Sequence, residues 1–201
     1  VDYAFYYIFH PFKGANDLKR EKRGTVAGAL TLTLLYVLTM MGSSLLSGYL
    51  FRTGNVNRTN VLLNGLLSLL PLILWCVANW CLTTLMDGEG SFRDIFISAA
   101  YSLTPFILIQ IPLIAVSNLL TLEESAFYAF FYILSLLWLL VLLLVGNMTI
   151  HNVSMKRALG TALLTVVGMV VILVLGFLLV NLAYTVFEFG RTIYRELIFR
   201  M

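Results

Sequence analysis

The chain is 201 residues long; 60% of them are hydrophobic, only 11% are charged, and the net charge is +3. A soluble domain of this length carries about 25% charged residues, whereas the charges here fall in short stretches between apolar runs long enough to cross a bilayer. The composition excludes a soluble globule and defines a membrane protein.

At the N-terminus, "YAFYYIFHPFKGANDLKREKRG" joins an aromatic segment to a basic one. Tyr3, Phe5, Tyr6, Tyr7, Phe9 and Phe12 suit an amphipathic segment at headgroup level, interrupted by Pro11. Lys13, Lys19, Arg20, Lys22 and Arg23 follow and lie against anionic lipid, or offer a patch for a cytoplasmic partner. Residues 1–25 are therefore read as an interfacial segment. Nucleic-acid binding is not expected, because a membrane surface already accounts for the cluster. No short apolar core with a small-residue cleavage site marks a signal peptide.

Five apolar runs follow, Val26–Phe51, Val61–Met86, Asp94–Leu119, Phe127–Thr149 and Ala158–Phe187. Each exceeds the roughly 20 residues a helix needs to span hydrocarbon. The strict alternation of a β-barrel strand is absent. The expected fold is all-α: a polytopic bundle of five transmembrane helices over 26–187, with amphipathic interfacial segments at both ends. In the last of these, 188–201, Phe189, Ile193, Tyr194, Leu197 and Ile198 form an apolar face, with Arg191, Arg195 and Glu196 polar.

Cytoplasmic loops retain positive charge. The five basic residues before the first span, Arg93 between the second and third, and Lys156 and Arg157 between the fourth and fifth place the N-terminus inside. Five crossings put the C-terminus outside, against the preference of Arg191, Arg195 and Arg200. A rival arrangement has the last helix re-enter or lie flat on the cytoplasmic side.

The hairpin "MDGEGSFRD" between the second and third spans is expected to be cytoplasmic. Ser91 and Asp94 have capping-box spacing, as do Thr121 and Glu124 before the fourth span. Beyond that structural role, Asp87, Glu89, Arg93 and Asp94, with His151 from the other cytoplasmic loop, are candidate partner-binding residues. A calcium loop does not fit, since Phe92 stands where glycine is needed and Ser98 where a carboxylate is needed. No metal or other cofactor is expected.

Between the helix ends the spans contain no Asp, Glu, Lys, Arg or His, which argues against an ion-coupled transporter. Milder polar residues, Asn79, Ser98, Gln110 and Asn181 among them, read as helix-packing contacts. Pro71, Pro105 and Pro112 interrupt the second and third spans, as kinks for packing or as the lining of a substrate site. Cys76 and Cys81, five apart on one helix, fit neither a redox pair nor a zinc site. A serine and His151 could be brought together, but neither Ser91 nor Ser154 lies in a nucleophile motif, so the chain is read as no enzyme.

The five-span plan and "YSLTP" at 101–105 resemble the Yip domain family of membrane proteins, whose eukaryotic members interact with Rab GTPases. "HPFKGANDLKREKRG", "WCVANWCLTTLMDGEGSFRDIF", "YSLTPF" and "LTLEESAFY" are similar to a bacterial branch of it, along nearly the whole chain. The "DLYGP" type motif of the eukaryotic members has no counterpart here, so the resemblance does not carry Rab binding over. What the branch implies is an accessory subunit in the bacterial cytoplasmic membrane, beside the permease subunits of a carbohydrate ABC importer. A membrane-organising, lipid-interacting homo-oligomer and a small-molecule facilitator are the alternatives.

Overall fold

Inside hydrocarbon a backbone carbonyl has no water to turn to, and a helix satisfies it within its own segment. Each apolar run accordingly forms helix. The computed structural model describes residues 2–21, 23–48, 51, 60–85 and 90–200. Two short helices come first, α1 (Asp2–Phe9) and α2 (Pro11–Arg20). The first span is α3 (Val26–Leu46), the second is α4 (Val61–Leu67) with α5 (Leu70–Leu85), and the third is α6 (Phe92–Ser102) with α7 (Thr104–Val116). The fourth span is α8 (Ser125–His151), entered through a 3-10 turn at Leu122–Glu124, and the fifth is α9 (Met155–Arg200). All five are long and apolar enough to cross a membrane, and no strand occurs among the described residues. The chain folds as an all-α polytopic bundle.

Prolines set two of the breaks. Pro105 cannot donate to the carbonyl of Tyr101, one helical turn back, and its ring crowds it. The hydroxyl of Thr104 takes that carbonyl instead, at 2.7 Å, and the third span restarts at α7. Pro71 likewise sits in the first turn of α5, where its missing N–H costs nothing, and the second span breaks at Ser68–Leu69. Pro112 lies inside α7 without ending it. The expected caps are both present. Ser91 accepts from the Asp94 amide, and Thr121 and Glu124 close a full capping box.

The third span is the centre of the bundle, with 61% of its apolar stretch buried. It packs on α3, α5 and α8, while α9 lies chiefly against α5 and α8. One buried cluster joins Ala29, Leu32, Tyr101, Leu142 and Val145 to Tyr7, Ala15 and Leu18 of the N-terminal helices. A second gathers Leu72, Cys76, Ile95, Ala99, Leu103 and Ile150. On the face opposite the N-terminal helices, Gly48 N–H donates to Ser117 Oγ at 2.9 Å and Asn118 Nδ2 to the Leu46 carbonyl at 2.8 Å, tying the ends of the first and third spans. A side chain at Gly48 would run into the Ser117 backbone, so that approach requires glycine.

The C-terminal segment is no separate element. α9 runs 46 residues without interruption, about 69 Å at 1.5 Å per residue.

Candidate functional site

At the end of the bundle that carries the N-terminal helices, a buried polar chain joins three spans. Asn79 of α5 is its hub, 1% exposed. Its Nδ2 donates to Asn147 Oδ1 (3.0 Å) on α8 and to Thr165 Oγ1 (3.3 Å) on α9, and its Oδ1 faces His151 Nε2 at 3.0 Å. Asn147 Nδ2 passes the chain on to Thr161 Oγ1 (3.0 Å) and the Ala158 carbonyl (3.4 Å). Thr165 donates to the Thr161 carbonyl, and Thr83 to that of Asn79.

The directions are mutually consistent. With both amide hydrogens of Asn79 spent on Asn147 and Thr165, its oxygen must accept, so His151 carries its proton on Nε2. The other ring nitrogen, Nδ1, is buried with no hydrogen-bond partner. Gly90 lies against that ring, where a Cβ would come within 2.6 Å of Cε1. His151 is therefore not a loop residue. It is the last residue of α8, 5% exposed, turned inward because Asn79 supplies its partner, and Asn152 ends the helix in a left-handed conformation.

The N-terminal helices are bolted to the same end. Tyr7 is fully buried, and its hydroxyl donates to the Leu142 carbonyl at 2.9 Å. Burial pushes its phenol up to about 12, against hydrogen bonding with Ser102 and Ser98 that draws it down. Gly146 makes the room, since a Cβ there would meet Ser98 Oγ and the Tyr7 hydroxyl. Tyr3 donates to Asp17 Oδ2 at 2.8 Å, closing α1 onto α2, and burial followed by that carboxylate raises its pKa. Phe5, Phe9 and Phe12 point outward, where a bilayer interface would receive them.

Of the basic residues read as a membrane surface, Lys13, Arg20 and Arg23 are exposed, and Arg23 pairs with Glu21 at 2.6 Å. Lys19 is half-buried beside a cleft of about 190 Å³ that Arg93 and Asp94 also line. Arg93 is exposed, and Asp94 accepts from the Ser91 hydroxyl at 2.6 Å, which commits that serine to the cap. Lys22, Asp87 and Glu89 lie outside the described residues. The structure thus gathers Lys19, Arg93 and Asp94 at one cleft and places His151 inside the bundle. Among the described residues no group of three His, Cys, Asp or Glu could hold a metal ion.

Asn147, Thr161 and Thr165 carry the network, yet the sequence offered no prominent motif for them. The available signal was spacing: Asn147 and His151, like Thr161 and Thr165 or Asn79 and Thr83, stand four apart and share a helix face.

A family model, the Yip1 domain, matches residues 5–187. The chain belongs to the Yip1 domain family. The match takes in α1 from Phe5 onward, all of α2 and four spans, and ends at Phe187, where the fifth apolar run also ends. Within the Yip1 domain the N-terminal helices and the spans therefore form one matched stretch, in keeping with the anchoring of Tyr7. No curated protein and no solved structure matches the chain. Membership and the five apolar helices make this a multi-pass membrane protein.

Proposed function

We propose that this Yip1 domain protein is a non-catalytic accessory subunit of the bacterial cytoplasmic membrane, with its N-terminus inside, packing its fifth span against the permease subunits of a carbohydrate ABC importer. Asn181 carries the reading. It lies in the fifth apolar run, six residues before the run ends, is exposed, and its amide donates to its own helix, to the Phe177 carbonyl at 2.9 Å. An asparagine in a membrane span commonly bonds a neighbouring helix, and none of the described residues of another helix bonds it here. Only 6% of the apolar stretch of α9 is buried, against 61% in the third span, so a long helical face remains available. The permease as partner rests on the resemblance to the bacterial branch, and Asp87, Glu89, Arg93 and Asp94 are the cytoplasmic residues proposed to touch it.

The same bare face of α9 suits a second copy of the chain, which is the competing reading: a lipid-organising homo-oligomer. Gentle extraction of the tagged protein from its native membrane, with mass spectrometry of what stays bound, separates the two. A permease pair and its ATPase, lost with Asn181→Leu and weakened by Asp87→Asn with Glu89→Gln, is the expected result. Recovery of this chain and lipid alone would overturn the importer reading in favour of the oligomer.

A further inference from the structure

The face opposite the N-terminal helices holds a cavity of about 600 Å³, open to the surface, that the network above does not touch. Four spans border it: the end of α3, α4, α7 and the start of α8. It adjoins the break at Ser68, and the wall contributed by α7 follows the break at Pro105. Gln110 on that wall is 2% exposed, and its Nε2 is buried with no hydrogen-bond partner among the described residues. Buried donors in native proteins are almost always paired, so this one points to an acceptor that binds here.

The other polar groups nearby are largely committed. Asn64 Nδ2 donates to Ser44 Oγ (3.0 Å), Ser44 to the Met40 carbonyl (3.1 Å) and Ser68 to the Gly65 carbonyl (2.6 Å). What remains is the Gln110 amide donor, with the hydroxyls of Ser43, Tyr128 and Tyr132, among apolar and aromatic walls, where Phe106 meets Tyr132 edge to face and Phe51 stacks on Tyr128. No Asp, Glu, Lys, Arg or His lines the cavity among the described residues. A charged headgroup would find no counter-charge among the described residues. Gln110 precedes the end of α7 by six residues, about 9 Å of helix rise. That depth matches the ester groups and first acyl carbons of a lipid leaflet.

We propose that this cavity binds an uncharged glycerolipid, a diacylglycerol or its glycosyl derivative, with Gln110 Nε2 donating to an ester carbonyl. The test uses purified, delipidated protein and native mass spectrometry. It is incubated with equal amounts of diacylglycerol, glucosyl-diacylglycerol, phosphatidylglycerol and phosphatidylethanolamine, and separately with free glucose or glycerol. Retention of one neutral glycerolipid in preference to the phospholipids is expected, because their charged headgroups meet no counter-charge among the described residues. Gln110→Leu should lower retention of the neutral glycerolipid about fivefold, the scale of one hydrogen bond, Ser43→Phe should fill the cavity and lower retention, and Asn181→Leu should change neither. If Gln110→Leu does not remain monodisperse, Ser43→Phe decides. Equal retention of phosphatidylglycerol, retention unaffected by the deciding variants, or binding of glucose or glycerol without lipid would each overturn the proposal. The isolated protein contains no importer, so this outcome is independent of the partner proposed above.

Discussion

Asn79 shows what one polar side chain does in a bundle whose helices gain little from hydrophobic attraction to each other. Lipid tails are as apolar as leucine, so packing and interhelical hydrogen bonds hold the spans. Asn79 makes three such contacts, to Asn147, Thr165 and His151. Replacing it by leucine would strand the Asn147 oxygen and the His151 Nε2 proton in a dry core, and we expect a loss of about 1–3 kcal/mol. Asn181→Leu, on the bare face of α9, should stay within about 0.5 kcal/mol in the isolated protein. Thermal unfolding in detergent, followed by tryptophan fluorescence, compares the two. Equal melting temperatures for both variants would mean the buried network does not hold the spans.

At the scale of elements, the α1–α2 hairpin is docked on the spans by a hydroxyl and closed with the help of a glycine. Tyr7 reaches Leu142, and Gly14 lets the two helices meet, since a Cβ there would come within 2.6 Å of the Tyr7 ring. Tyr7→Phe should cost about 0.5–1.5 kcal/mol of docking, seen as faster hydrogen exchange across residues 2–20 with the five spans unchanged. The phenol's pKa is raised in the folded state, so its contribution is complete below pH 10 and fades as pH rises toward about 12. The phenylalanine variant should lack that alkaline loss. Unaltered exchange would show that lipid contact alone keeps the hairpin in place.

For the whole molecule, five crossings would put the N-terminal helices and the C-terminal segment on opposite faces. Burial is distributed unevenly around the third span, from its own 61% to 6% in α9, so the bundle has a packed side and a lipid- or partner-facing side. Single cysteines at Glu21, Glu123 and Thr192, in a background with Cys76 and Cys81 replaced by alanine, test the topology. An impermeant maleimide should label positions 123 and 192 in intact cells and position 21 only after permeabilisation. Labelling of 192 from the same side as 21 would show that α9 does not cross.

The spans, their caps and the helix breaks could be read from the sequence because each obeys a rule acting within a few residues. Hydrocarbon forces a long apolar run into helix, Ser91 and Thr121 find their partners three residues on, and Pro105 excludes its own N–H. The site was legible only in fragments. His151 reads as a loop residue because nothing near it announces Asn79, 72 positions earlier, and Gln110 reads as one more packing amide although no side chain meets its nitrogen. Run length and local spacing say that a helix forms and where it stops. Which polar groups then face one another across three helices depends on the rotation and depth at which those helices pack, and only the tertiary structure decides that.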